Sequence, residues 1–295
     1  MNIAVTGAAS FIGAALHRYC QRHGIGWTGV DLAPPGALHA ISADISRAGW
    51  AEQLPDRVDA LVHLAAISRD ADCRRDPARA IEVNVTGTLR TIEAARARGI
   101  GQIVFASSEW VYGDAGAEPK HEDAAIDAAA ISSEYPLTKL AGERLLWMAH
   151  RQAHLEAATV LRFGIVYGPR PSNWSAVEAL DDAVAGRDRI EVGSLDTARR
   201  FIHVDDIAAG IIAALGRKGF EIFNLTGDSL ISLGEVINES VRLHGRSPEV
   251  VERSPGTASV RNIDNSKARR ELGWRPRIAL RQGLESLEAV AGVEK

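Results

Sequence analysis

Five short apolar runs, Ile3–Thr6, Trp27–Asp31, Ala60–Leu64, Gln102–Ser107 and Thr159–Val166, are separated by Ala-rich stretches of helical period, and this alternation leaves few folds open. Strands that alternate with helices predict a parallel sheet with crossover helices. Runs such as Ala60-Leu61-Val62-His63-Leu64 lack polar alternation, as expected where both faces of a sheet are covered. The expected architecture is α/β, a Rossmann-type doubly wound parallel sheet. Beyond Tyr167 the texture changes to loops rich in Gly, Pro, Ser and Asn, with scattered helices and a short strand at Glu221–Leu225. That predicts a smaller, discontinuous C-terminal region, because the helical run His203–Leu215 and the strand after it can return to the sheet. The expected division is a sheet domain over 1–166, with returning segments near 201–226, and a smaller region over 167–200 and 227–295. Ligands would lie outside the C-terminal ends of the strands, between the two parts.

Composition narrows the partners. A chain of 295 residues, 46% hydrophobic, has ample material for a large core. A net charge of -4 with no polybasic segment gives no field for nucleic acid or an anionic membrane surface. No apolar stretch approaches the length of a membrane span, and Met1-Asn2-Ile3-Ala4-Val5 enters a strand with no charged leader, so no membrane partner and a cytoplasmic location are expected. Cys20 and Cys73 lie far apart and in no metal-ligand spacing; both read as packing residues, and no metal is expected.

The segment Thr6-Gly7-Ala8-Ala9-Ser10-Phe11-Ile12-Gly13 follows the first strand and opens a helix. Small residues in such a turn let backbone N–H groups approach a pyrophosphate at a helix N-terminus, where the dipole favours negative charge. Gly7, Ser10, Phe11, Ile12 and Gly13 are the candidate contacts, with Ser10 standing where the pattern has glycine. Asp31 ends the second strand, where a carboxylate can accept both ribose hydroxyls of an adenosine; no arginine follows it, which favours NAD over NADP. Asp44 and Ile45 after a third strand, and Leu64, Ala65 and Ala66 after the fourth, offer a polar contact and an apolar wall to the dinucleotide.

Tyr135-Pro136-Leu137-Thr138-Lys139 precedes the helical pattern Leu140–His150, and a spacing of four puts Tyr135 and Lys139 on one helix face. A phenol titrates near 10, and about three units of lowering, roughly 4 kcal/mol, would make it a base near neutrality. The Lys139 ammonium, together with an oxidised nicotinamide, is the natural source. A surface lysine one turn from a half-buried tyrosine is an equally ordinary reading of two fixed letters. Ser108, at the carboxyl end of the strand that begins near Gln102, supplies the third member, a hydrogen-bonding partner for the substrate oxygen. The proposed roles are Tyr135 as general base or acid, Ser108 as orienter and Lys139 as electrostatic tuner, with hydride passing to nicotinamide because no side chain can accept it.

An ordered series of motifs over nearly the whole chain resembles the extended short-chain dehydrogenase/reductase family, in particular its NAD-dependent epimerase/dehydratase branch. Besides Gly7–Gly13 and Tyr135–Lys139, the series includes His63-Leu64-Ala65-Ala66, Asn84-Val85-Thr86-Gly87-Thr88, Ser107-Ser108-Glu109-Trp110-Val111-Tyr112-Gly113, Leu161-Arg162-Phe163-Gly164-Ile165-Val166-Tyr167-Gly168-Pro169-Arg170, Arg200-Phe201-Ile202-His203-Val204-Asp205-Asp206, and Ser266-Lys267-Ala268 with Leu272-Gly273-Trp274. The resemblance implies that Asn84 holds the loop around the active site on the cofactor side, that Ser108, Tyr135 and Lys139 are catalytic and that Phe163 and Ile165 border the nicotinamide. It also implies a sugar or sugar-nucleotide substrate and a homodimer.

Departures from the pattern bear on the substrate. Dehydratases of the branch carry an acidic pair directly after the serine or threonine; here Glu109 is followed by Trp110, which disfavours dehydration. Ile165 stands where many nucleotide-sugar enzymes have Asn. Glu109, Trp110, Arg170, Arg199 and Arg261, with Arg253, are the candidate substrate contacts, and surface charge is the alternative reading for each arginine. Asp205 and Asp206 read as caps of the helical run that follows. The leading expectation is an NAD-dependent epimerase of a sugar nucleotide acting through a transient keto-sugar. A sugar or sugar-acid dehydrogenase, or a keto-deoxysugar reductase, is the alternative, and a catalytically inactive dinucleotide-binding sensor is an alternative of another class.

Overall fold

The computed structural model describes residues 1–36, 40–113, 115–172 and 174–291. The chain divides into two compact units: Met1–Gly113, Glu122–Phe163 and Ala208–Asn224 form the first, and Asp114–His121, Gly164–Ile207 and Leu225–Lys295 the second. Residues 115–121, 164–166, 201–207 and 225–226 thus group with the second unit, whereas the sequence reading places them with the first.

The first unit is built on a seven-stranded sheet of β1 (Asn2–Thr6), β2 (Gly26–Asp31), β3 (Ile41–Ser42), β4 (Ala60–His63), β5 (Gln102–Ser108), β7 (Ala157–Phe163) and β12 (Gly219–Leu225), in the order β12-β7-β5-β4-β1-β2-β3. The pairs from β7 across to β3 are parallel. Order reverses at β1, which has β2 on one side and β4 on the other; this is the switch point at which such sheets open a crevice. Helices α1 (Phe11–His23), α2 (Asp70–Arg75), α3 (Pro77–Ile81), α4 (Gly87–Ala97) and α5 (Glu134–Arg151) join the strands, with a π-helical turn at Glu82–Thr86 between α3 and α4. Continuous burial of β4, β5 and β7 accounts for their unbroken apolar runs.

Two boundaries differ from the sequence reading. The run Thr159–Val166 is not one strand: β7 stops at Phe163, Gly164 N turns to donate to Leu225 O, and Val166–Tyr167 forms a separate short strand, β8. Helix α5 begins at Glu134, ahead of the apolar pattern, so Tyr135 and Lys139 lie within it. Pro136 falls in the first turn, where its missing N–H has no helical partner to lose.

In the second unit β8 pairs with β11 (Ile202–His203) and β9 (Arg189–Val192) with β14 (Glu249–Glu252), and a four-stranded sheet runs β13-β10-β15-β6, from Ile231–Ser232 through Ala198–Arg199 and Val260–Ile263 to Gly116–Lys120. Helices α6 (Ala176–Gly186), α8 (Leu233–His244) and α10 (Leu280–Ala291) enclose a core that includes Val177, Val184, Val236, Ile237 and Leu284. Helix α7 (Val204–Ala213) leads the chain back into the first unit, and α9 (Ser266–Glu271) follows β15. The Asp206 carboxylate does not cap α7; it accepts from Arg277 N and Ile278 N at 3.0 Å each, and its carbonyl accepts from Trp274 Nε1, so it fastens the segment before α10. Among the described residues no helix is long and apolar enough to cross a membrane.

Helix α5 approaches β5 so closely that a Cβ on Gly142 would lie 2.6 Å from Cζ of Phe105. Alanine there gains up to about 1 kcal/mol of helix propensity but must displace a buried ring. Gly142→Ala is expected to destabilise the protein by roughly 1–3 kcal/mol in urea unfolding, and Phe105→Leu in the same chain to restore part of that loss. Unchanged stability in Gly142→Ala alone would show that the contact is slack.

Candidate active site

The turn after β1 is compressed. Gly7 has φ +73, and a Cβ on it would meet Ala65 N at 2.6 Å, while a Cβ on Gly13 would meet Gly7 O at 2.4 Å. Both glycines are therefore required by close backbone approach. Ser10 is not a defect in the pattern. Its φ of -68 needs no glycine, and its Oγ accepts from Gly13 N at 3.1 Å as the N-cap of the thirteen-residue α1. Asp31, at the end of β2, accepts from Ala9 N at 2.9 Å, which ties the carboxylate to the same turn. Glycine-tight turn, helix N-terminus and strand-end carboxylate together are the donor and acceptor set that an adenine dinucleotide requires, so the residues present fit that cofactor.

The other expected contacts divide. Ala65 and Ala66 are partly exposed beside the turn. Leu64 and Phe163 are 8% and 6% exposed. The Ile45 side chain belongs to the core, where its Cδ1 would lie 2.8 Å from a Cβ on Gly87, so only its backbone is left for a ligand. Asp44 is held from two sides: Oδ1 accepts from Ser46 N and Oγ, and Oδ2 accepts from Arg79. Those hydrogen bonds and the Arg79 charge outweigh burial and hold its carboxyl below the usual range. Asn84 brackets its own fold: Nδ2 donates to Ile67 O and Thr138 Oγ1, and Oδ1 accepts from Ile67 N. Its amide therefore pins the loop after β4 to α5.

At the end of β5 lies the expected trio. The Tyr135 phenol lies beside the Ser108 side chain. Burial pushes the phenol up to about 12, with the Ser108 side chain opposing the rise. Lys139 is 4% exposed, and its Nζ donates to Ala106 O at 2.8 Å and lies 5.9 Å from the centre of the Tyr135 ring. Burial pulls its ammonium down to about 8, against the opposing fields of Cys73 and Glu143. Lys139 thus keeps its charge at neutral pH and loses it as the pH rises past that value. The Cys73 thiol donates to Ile67 O and burial raises its pKa, consistent with a packing role.

Two buried networks frame the trio. Thr88 Oγ1 donates to Asn84 O at 2.6 Å, which makes it the acceptor from His63 Nε2 at 3.1 Å and leaves His63 Nδ1 to accept from Thr6 at 2.7 Å. His63 is accordingly a neutral Nε2–H tautomer, assigned from this bonding pattern. On the other side Glu143 receives Arg162 Nε and Nη2 at 2.9 and 2.7 Å and Ser107 Oγ at 2.6 Å, while Arg162 Nη1 donates to the Tyr112 hydroxyl. Sequence reasoning gave these two residues no role. The available signal was an arginine inside the apolar run Thr159–Val166, since a buried charge demands a partner.

Of the expected substrate contacts, Ser108 and Glu109 are buried and Trp110 is partly exposed. Arg170 is paired with Glu178 at 2.7 Å and lies over the Trp174 ring, which ties it to the start of α6. In the second unit Arg199 and Arg261 are register neighbours on β10 and β15; Arg199 donates to Ala198 O, Ser259 O and Ser259 Oγ. Arg253 pairs with Glu191 at the surface.

The profile of the NAD dependent epimerase/dehydratase family matches residues 3–226. The chain belongs to this family. It is therefore an NAD-dependent enzyme of the extended short-chain dehydrogenase/reductase type. A UDP-glucose 4-epimerase from Mycolicibacterium smegmatis is 32% identical, with 96% of each chain covered. A GDP-6-deoxy-D-mannose reductase from Pseudomonas aeruginosa is 28% identical over 96% of this chain and 94% of its own. The solved structure of MoeE5 in complex with UDP-glucose and NAD superposes with a TM-score of 0.87 at 27% identity, with 99% of each chain covered. In this epimerase/dehydratase scaffold, isomerisation and net reduction share one frame, and the frame alone does not select between them.

His63 gives a pH signature. Burial, and secondarily the Lys139 charge, lower its pKa to about 3, against about 6.5 in the unfolded chain. Between those values the unfolded state binds a proton that the folded state does not, so this contribution is complete above about pH 6.5 and is lost as the pH falls, with a limiting slope near 1.4 kcal/mol per pH unit. Urea unfolding between pH 7 and 4 should show a shallower loss of stability in His63→Gln than in the parent. Parallel curves would mean that His63 does not titrate on unfolding.

Proposed function

We propose that the chain is an NAD-dependent epimerase of a UDP-linked sugar. The observation that carries the reading is the Tyr135 phenol beside Ser108, with the buried Lys139 ammonium one helical turn away and 5.9 Å from the phenol ring. Its support is the relative that acts on UDP-glucose and the neighbour solved with UDP-glucose and NAD. Gly7, Ser10, Phe11, Ile12 and Gly13 would hold the pyrophosphate, Asp31 the adenosine ribose, Lys139 the nicotinamide ribose, and Ala65, Ala66, Phe163 and Ile165 the flat faces. When bound, NAD supplies the acceptor for a hydride from the sugar carbon and the source of its return.

The chain's own residues move the proton. Tyr135 Oη takes it from the reacting hydroxyl as the C–H bond is broken, and Ser108 Oγ orients that oxygen. Lys139, on the same helix face, would stabilise the phenolate against the burial that otherwise keeps the phenol protonated. The keto-sugar then presents its other face, and Tyr135 returns the proton to the new alcohol, which leaves no net redox change. Trp110 supplies no acid for elimination of water, which sets this chemistry apart from dehydration. Arg199 and Arg261 are the candidates for the substrate phosphates.

A homodimer is part of the proposal. Leu89 on α4 and Leu137, Trp147 and Met148 on α5 are large apolar side chains 41–54% exposed, and a second copy packed on these two helices would cover them by symmetry. Met148→Glu with Leu89→Glu should then halve the mass seen by light scattering; an unchanged mass would place any dimer contact elsewhere.

The deciding experiment follows UDP-glucose, UDP-galactose and UDP-glucuronate by proton NMR with NAD. A new epimer without accumulated NADH is expected, and Tyr135→Phe should slow it by about 10²–10⁴-fold. Stoichiometric NADH with an oxidised sugar would replace epimerisation with net dehydrogenation.

A further inference from the structure

We propose that the buried Glu143–Arg162 pair, with Ser107, is a positioning element of this reaction that fixes Ser108 at the end of β5 against Tyr135 on α5. The inference rests on the Ser108, Tyr135 and Lys139 roles given under the proposed function. Glu143 is 0% and Arg162 1% exposed, so a full ion pair has been withdrawn from water. Replacing such a pair by apolar side chains of similar volume is often neutral or stabilising, so stability alone is a weak reason for its presence. What the pair offers is direction. Glu143 Oε1 accepts from both Ser107 Oγ and Arg162 Nε, Oε2 accepts from Arg162 Nη2, and a planar guanidinium against a carboxylate tolerates little rotation.

The elements joined are those that carry the trio. Glu143 is two turns along α5 from Tyr135 and one from Lys139, and it holds Ser107, the chain neighbour of Ser108. Arg162 lies opposite Ser107 in the β5–β7 register and reaches past it to the hydroxyl of Tyr112, which closes the short helix Glu109–Tyr112 directly after Ser108. That hydroxyl donates in turn to Asn224 Oδ1 on β12. Ser108 is thus bracketed at residue 107 and at residue 112 by one guanidinium–carboxylate unit. Misplacing a reacting group by about 1 Å can lower a rate about 10²-fold, so slack between β5 and α5 should appear in turnover before it appears in folding.

Two variants of the whole 295-residue chain test this in the presence of NAD. Ser107→Ala removes only the tie from Glu143 to β5 and leaves both charges paired; Glu143→Leu with Arg162→Met removes both charges together and so strands neither. The expected result is a kcat lower by about 10- to 100-fold with KM for the UDP-sugar and NAD affinity within about twofold of the parent, and recovery of most of the loss in Ser107→Thr, which keeps the hydroxyl. A second readout does not need turnover: the ionisation of Tyr135, isolated by subtracting the ultraviolet difference titration of Tyr135→Phe, should move to higher pH in Ser107→Ala as Ser108 is no longer held beside the phenol. An unchanged kcat in folded Ser107→Ala overturns the proposal. If the parent turns over no UDP-sugar, the functional reading fails by itself, and the Tyr135 titration decides the positioning role: a shift supports it and an unmoved midpoint overturns it. If the double variant does not fold, Ser107→Ala carries the decision alone.

Discussion

The docking of α5 on the carboxyl end of β5 is the constraint on which the candidate site depends. Three consecutive strand residues are gripped by one stretch of helix: Phe105 receives the bare face of Gly142, Ala106 O accepts from Lys139, and Ser107 donates to Glu143. No single contact could set both the height and the rotation of a helix on a sheet. Together they leave one placement, and that placement brings the Tyr135 phenol to Ser108.

Burial makes this geometry chemically useful and also costly. The same desolvation that raises the Tyr135 phenol lowers the Lys139 ammonium, so an enclosed pair by itself favours two neutral groups. The site works against this with the Ser108 side chain beside the phenol and with the Glu143 carboxylate near Lys139. His63 shows the opposite outcome. It lies close enough to feel Lys139, yet it is neutralised and built into a hydrogen-bonded chain from Thr6 to Asn84. Similar enclosure leaves one titratable residue poised for chemistry and another as scaffold, and the difference lies in the hydrogen-bond partners.

Several polar residues act at one remove. Asn84 places the loop after β4 through Ile67, and Asp206 fastens the segment before α10 through two backbone amides. Arg170 is taken up by Glu178. In each case a conspicuous polar side chain satisfies backbone or side-chain groups of its own fold, because a buried donor or acceptor left without a partner costs more than most ligand contacts return.

The alternation of apolar runs and helical stretches was enough to give the parallel sheet, since period and burial are local properties of the chain, and the Gly7–Gly13 turn and the Tyr135–Lys139 spacing were readable for the same reason. The sequence could not show that Ser10 replaces a glycine as a helix cap, that Ile45 faces the core, or that β7 ends at Phe163. Each depends on what lies opposite: Gly13 N, Gly87 and Leu225 O. The pairing of Glu143 with Arg162 is the clearest case. The two stand nineteen residues apart, and only the packing of α5 across β5 and β7 brings carboxylate and guanidinium into one dry place, where neither can remain alone.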